Sequence, residues 1–202
     1  EPNLVDNYSF SEDGLTLTCT LKDGIVFASG NPMTSEDVAF SLMRMKNLKG
    51  NPSFLVNGID SIDTPDEKTV VMNLNQVDSA LVSKLSFSAT AIVDSVIVKE
   101  NGGTDAEDAA STDTAQDYLN STSAGSGMFV MTSYVPDDEI ILEKNPNFWG
   151  EATNVDKYII KIQPDANTQM MTLASGDIDI ALNLTDDTLK ELADKENIVI
   201  ED

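Results

Sequence analysis

The side chains with most capacity for chemistry in this sequence are carboxylates, and their spacing fits no known catalytic or metal-binding pattern. Four of them, Asp105, Glu107, Asp108 and Asp113, fall in one small, polar segment. An EF-hand calcium loop needs ligands at regular positions, a central glycine and a terminal glutamate, which this segment lacks. We therefore predict a mobile surface loop over residues 99–117 and no metal site.

A second pair of carboxylates, Asp177 and Asp179, alternates with isoleucine, so both face one side of a predicted strand. No further metal ligands accompany the pair, and a structural role is favoured over metal binding.

The sequence also lacks the partners that enzymatic catalysis requires. It contains no histidine, which removes the commonest general base and the commonest zinc ligand. The segment Gly125-Ser126-Gly127 has neither the frame of a nucleophile elbow nor a Walker lysine. We predict that the protein is not an enzyme and uses no cofactor.

The only cysteine, Cys19, cannot form a disulfide within the chain. It alternates with threonine in the same register as Leu17 and Leu21. This alternation predicts a strand with one apolar face and a buried, structural thiol.

The charge balance excludes two classes of partner. The formal net charge is −23, from 12 basic and 35 acidic residues. Such a surface repels phosphate backbones and anionic headgroups, so nucleic acid and electrostatic membrane docking are not expected. Hydrophobic residues make up 41% of the sequence, which is enough to bury a core.

The first half of the sequence predicts an α+β arrangement. Thr34 precedes serine and two acids, which is typical of a helix start. The predicted elements are a strand over 15–21, a helix after Thr34, a hairpin of 60–63 with 70–74, a short helix over 80–85 and an extended piece over 91–98.

The second half alternates strands with helices after an initial strand pair. This order predicts a parallel sheet with crossover helices. Asn183 follows the predicted strand Ile178–Leu182, at the carboxyl end where α/β sheets collect ligands. The predicted elements are strands over 129–131, 140–143, 158–162, 178–182 and 198–200, and helices over 166–174 and 186–193.

Four blocks of sequence resemble, in order, the family 5 extracellular solute-binding proteins, which are the dipeptide-, oligopeptide- and nickel-binding proteins of ABC importers. Residues 124–129, Ala-Gly-Ser-Gly-Met-Phe, are similar to the family's G-T-G-P-[FY], although Ser126 and Met128 replace threonine and proline. The other blocks are residues 15–38, residues 143–150, which are similar to N-P-x-Y-W, and residues 173–179, which are similar to L-x-x-G-[ED]-[IV]-D.

The resemblance implies a fragment of a type II periplasmic-binding-protein-like fold, with α/β and α+β parts. Residues 1–97 would form the small α+β extra domain. Residues 98–202, including the loop 99–117, would form part of the first α/β lobe with a parallel sheet. The second lobe would be absent from this chain.

The same resemblance implies a substrate-binding component that captures di- or oligopeptides outside the cytoplasmic membrane, in the periplasm or as a surface lipoprotein. Its partners would be the peptide and the ABC permease subunits, with membrane association only through a lipid anchor outside this chain, and it would be a monomer. A nickel chelate or another small solute is the alternative ligand. A non-transport surface or structural domain is the alternative from another class.

Few positions carry over as ligand-binding candidates. The resemblance points to Asn183 after the G-[ED]-[IV]-D block and to Ser126 in the glycine turn. Phe54 and Phe87 of the extra domain are further candidates, for which ordinary core packing is the competing interpretation.

Overall fold

The structure is a computed structural model that describes residues 3–151, 153–193, 195 and 197–201. The chain divides into two compact units. The first comprises Glu1–Thr132 and Leu142–Tyr158, and the second comprises Ser133–Ile141 and Ile159–Asp202. A domain boundary between residues 97 and 98 stays a prediction, because compact units need not coincide with the domains of a family.

The first unit is built on a four-stranded antiparallel sheet with the order β1-β2-β4-β3. Leu17, Cys19 and Leu21 are buried on one face while the threonines between them are not, so the predicted alternation and the buried thiol are confirmed. The strands are β1 (Val5–Phe10), β2 (Thr16–Leu21), β3 (Ile59–Asp63) and β4 (Thr69–Leu74).

Helix α1 (Ser35–Leu48) packs on the apolar face of this sheet through Val38 and Leu42. Its start is the predicted one: the Asp37 carboxylate accepts hydrogen bonds from the backbone N–H (2.8 Å) and hydroxyl (3.0 Å) of Thr34. The chain leaves the helix at Lys49, whose φ of 56° is left-handed.

Short helices follow the sheet. The predicted helix near residue 80 is confirmed as α2, but the predicted extended piece 91–98 is wrong in its second half. Asp94 caps a helix there, and its carboxylate accepts from the backbone N–H of Val96 and Ile97, both at 3.1 Å. The helices are α2 (Leu81–Leu85), α3 (Ser95–Glu100), α4 (Ala109–Thr112) and α5 (Gln116–Ser121), with 3-10 turns at Asn51–Leu55 and Ser88–Thr90.

The segment 99–117 has anchors that its composition does not reveal. The side chain of Asp113 is 2% exposed and forms a two-point ion pair with Arg44, at 2.7 Å to Nε and 2.8 Å to Nη2. Ala109 and Ala115 are buried as well. The absence of large apolar side chains is therefore compensated by polar bonds, and the mobility of this segment stays a prediction.

A second sheet contains three strands in the order β5-β6-β7. The predicted strand pair is confirmed, and Asp137 takes a left-handed φ of 62° in the turn between β5 and β6. The division between the units passes through these strands. They are β5 (Phe129–Val135), β6 (Glu139–Lys144) and β7 (Lys157–Lys161).

In the second unit the helices α6 (Ala166–Ser175) and α7 (Asp186–Leu192) lie where the sequence predicts them and contact each other. The parallel sheet is not formed: within the described residues, 178–182 and 198–200 pair with no strand. Alternating apolar residues permit an extended chain, but a strand also needs a neighbour to hydrogen-bond.

None of the described helices is both long and apolar enough to cross a membrane.

Candidate ligand-binding site

The glycine turn, Gly125-Ser126-Gly127, contains the predicted ligand-binding residue Ser126. Hydrogen bonds to its backbone carbonyls fix this turn in place. Four consecutive carbonyl oxygens, of residues 124–127, each accept a hydrogen bond. The donors, in order, are the backbone N–H of Asp94 (2.8 Å), the backbone N–H of Ala28 (3.0 Å), the indole Nε1 of Trp149 (3.1 Å) and the amide Nδ2 of Asn145 (2.8 Å).

Asp94 ties this turn to the segment after β2. The residue is 1% exposed, and its Oδ2 accepts from the Ser29 hydroxyl at 2.6 Å and from Asn31 Nδ2 at 2.9 Å. Its other oxygen caps α3. The carboxylate is therefore stabilised by neutral donors, and no cation pairs with it in the described residues.

Asn145 and Trp149 reach the same turn from the other side. Asn145 also donates its backbone N–H to the Met128 carbonyl (2.9 Å), and the amide of Asn147 donates to the Ala28 carbonyl (3.0 Å). Trp149 packs against the cluster that contains Phe27. Trp149 thus contributes to a core. Residues of three motif blocks, 15–38, 124–129 and 143–150, meet in one hydrogen-bonded joint.

Ser126 belongs to this joint through its carbonyl, which receives the indole N–H of Trp149. Its side chain is half-buried and makes no hydrogen bond within the described residues. The hydroxyl of Ser126 is therefore available to a ligand.

Asn183 lies in the second unit, in the loop before α7, with a left-handed φ of 60°. It is exposed, and its amide makes no hydrogen bond within the described residues. The helix cap is Thr185, whose hydroxyl accepts from the backbone N–H of Thr188. Capping α7 is thus not the role of Asn183, and its amide can both donate and accept.

Phe54 and Phe87 are on the surface of the first unit, 62% and 61% exposed. Core packing therefore does not explain either residue. Phe87 lines a cavity of about 620 Å³ whose lining includes neither Phe54 nor Ser126.

Asp94 and Asn145 are the residues of this joint that sequence reasoning missed. An acid followed by serine, at 94–95, is a helix-start signal, but the apolar run around it favours a strand. Asn145 stands inside a recognised block, yet nothing in the sequence reveals that it bonds a turn 18 residues earlier.

The acids considered for calcium do not converge. No group of three or more His, Cys, Asp or Glu side chains in the described part of the chain could hold a metal ion. Within the described residues, the joint of the first unit contains hydrogen-bonding groups but no paired nucleophile and base.

The fold is that of the periplasmic solute-binding proteins, as predicted. The chain resembles NikZ from Campylobacter jejuni in complex with Ni(L-His), with a TM-score of 0.82 and 20% identity over 98% of this chain and 37% of that one. It also resembles DppA from Helicobacter pylori in complex with the peptide STSA, with a TM-score of 0.79 and 22% identity over 98% of this chain and 41% of that one. At these identities the likeness shows the fold alone.

The chain belongs to the bacterial extracellular solute-binding proteins, family 5, whose middle region matches residues 1–202. It is 30% identical to "Probable D,D-dipeptide-binding periplasmic protein DdpA" of Escherichia coli (strain K12), over 98% of this chain and 37% of that protein. It is 27% identical to "Dipeptide-binding protein" of Pseudomonas aeruginosa, over 98% of this chain and 39% of that protein. The chain thus spans little more than a third of the length of such relatives.

Proposed function

We propose that the chain is part of the substrate-binding component of an ABC importer, which captures di- or oligopeptides outside the cytoplasmic membrane and hands them to the permease. The family match over residues 1–202 carries this proposal. The dipeptide-binding relatives support a peptide as the solute. The work of such a protein is binding, so no reaction is assigned to it.

The exposed amide of Asn183 suits a peptide ligand. A peptide backbone alternates N–H and C=O groups, and one asparagine amide can accept a hydrogen bond from the N–H through its oxygen and donate one to the C=O through its nitrogen. Because the amide has no partner in the described residues, a ligand can use it without breaking an existing bond.

The test is removal of this amide in the full-length protein. At Asn183 the φ of 60° strains alanine but not glycine, so Asn183→Gly removes the amide without straining the backbone. We expect peptide binding, measured by calorimetry, to weaken by about 1–3 kcal/mol. The matched control Thr185→Ala removes the cap of α7, and it should lower stability by about 1 kcal/mol without changing affinity.

Unchanged affinity in Asn183→Gly would remove this residue from the site. A protein that binds no member of a dipeptide and oligopeptide library would overturn the proposal of a peptide receptor itself.

Ser126→Ala provides a second, smaller test. It removes the hydroxyl and leaves the carbonyl that receives Trp149. We expect a loss of about 1 kcal/mol in peptide affinity with unchanged stability. If instead only stability falls, Ser126 serves the joint and not the ligand.

A nickel chelate is the alternative solute, but no observation on this chain favours it. The chain has no histidine, and its likeness to nickel-binding proteins shows the fold alone.

A further inference from the structure

A cavity in the first unit lies on the apolar face of the four-stranded sheet. It measures about 620 Å³, within the range of small-molecule sites. Its floor includes Cys19, Val70 and Met72, which are buried side chains of β2 and β4. Tyr8 and Phe87 line it as well, and both are exposed, so they stand at its mouth.

The lining defines what can fill this space. It contains no Asp, Glu, Lys or Arg, although the chain has a net charge of −23. Ordered water needs two to four polar partners, which an apolar floor does not provide. Protein interiors otherwise leave few voids larger than a water molecule. The matching occupant is therefore uncharged and mostly apolar.

Two polar groups at the cavity could orient such a molecule. The hydroxyls of Tyr8 and Ser88 both belong to the lining, and neither makes a side-chain hydrogen bond in the part of the chain that the structure describes. A few polar groups in an otherwise apolar lining are typical of small-molecule sites.

We propose that this cavity is a binding site for an uncharged, largely apolar small molecule, such as an aromatic compound with one hydrogen-bonding group. The site is made by the sheet, α1 and residues 82–92. It includes neither Ser126 nor Asn183, so it is independent of the proposed peptide site.

The probe is N-phenyl-1-naphthylamine, an uncharged aromatic amine that fluoresces in apolar surroundings. In the full-length protein we expect saturable binding of one probe at this site. Ala91 lines the cavity and Ala89 does not, and both are exposed. Ala91→Trp should fill the mouth and weaken binding about tenfold or more, which corresponds to 1.4 kcal/mol, while the matched control Ala89→Trp leaves it unchanged.

Cys19 reports on the same space without fluorescence. It is the only cysteine, and burial raises the pKa of its thiol to about 11, so its reaction at neutral pH is slow. The small neutral reagent methyl methanethiosulfonate should modify it, and saturating probe should slow this modification. Cys19→Ser is the blank.

Several results would overturn the proposal. The first is the absence of saturable probe binding to the folded protein. The second is an equal loss of probe affinity in Ala89→Trp and Ala91→Trp. The third is modification of Cys19 at the same rate with and without probe. Probe binding that appears only as the chain dimerises in size-exclusion chromatography would assign the cavity to a second copy. Circular dichroism establishes that each variant is folded. Loss of peptide binding in the full-length protein bears on the proposed function and leaves this site untouched.

Discussion

Alternating apolar residues are buried in the first compact unit but largely exposed in the second. In the first unit every second residue of β2 is buried, and three clusters of buried side chains form cores. In the second unit Thr188 and Leu192 are the only buried side chains among the described residues. Ile180 illustrates the difference, since it stands in an alternating apolar segment yet is 69% exposed.

This difference shows that an apolar pattern indicates which residues can be buried, but not whether another segment covers them. The apolar side of β2 is covered by α1, whereas nothing described covers residues 178–182 to the same extent. The same substitution should therefore have different consequences in the two units.

The largest contrast is expected between ion pairs. Arg44→Met leaves Asp113 as a buried carboxylate without its cation, and we expect a loss of about 3–5 kcal/mol in the free energy of unfolding. Lys190 pairs with Asp187 on an exposed surface of the second unit, so Lys190→Met should change little. Urea denaturation of both variants tests this, and equal losses would contradict the contrast.

The same substitution, isoleucine to alanine, should reduce the stability of the two units by different amounts. Ile59 is 1% exposed in the core of the first unit. Ile59→Ala should cost about 2–5 kcal/mol, because it leaves a cavity. The matched change Ile180→Ala in the second unit should lie within about 0.5 kcal/mol of the parent chain. A large loss in Ile180→Ala would show that this residue is covered in solution.

Each unit also contains an aspartate that caps a helix. Asp94→Ala leaves the Ser29 hydroxyl, the Asn31 amide and two backbone N–H groups without their acceptor, and we expect a loss of about 3 kcal/mol. Asp165 caps α6 on the surface, so Asp165→Ala should give a smaller loss. Thermal unfolding of the two variants checks the order, and a reversed order would refute the importance of the joint.

The smallest expected effect is a pH dependence carried by Asp113. Burial acts to raise the pKa of its carboxyl, but hydrogen bonds and charge from Arg44 and the backbone N–H of Thr104 outweigh burial and hold the pKa below the ordinary 3.8. The ion pair thus stabilises the fold above about pH 4, and this contribution is lost as pH falls through the lowered pKa. Asp113→Asn should show a shallower loss of stability in that acid range than the parent chain. Parallel profiles would contradict this assignment.

Mobility of the segment 99–117 can be tested against the same ion pair. The prediction from composition is early cleavage there in limited proteolysis. Because Asp113 anchors this segment to Arg44, Arg44→Met should accelerate its cleavage severalfold under conditions in which the rest of the chain stays folded. Equal cleavage rates would show that the ion pair does not restrain the segment.

Local signals predicted much of what forms within short stretches of chain. The cap at Thr34, the alternation around Cys19 and the starts of α6 and α7 depend on neighbouring residues. Such signals are readable because their partners lie within a few positions. The order of the motif blocks likewise predicted the family.

The sequence by itself determined the family and those helices and strands whose signals lie within a few residues. Only the tertiary structure decided that Asp94 caps a helix inside a run predicted to be extended, that Asn145 and Trp149 bond the glycine turn, and that residues 178–182 form no strand. Each of these outcomes depends on groups far apart along the chain. Hydrogen-bond partners and burial are set by which distant segments meet, and residue types alone do not state that.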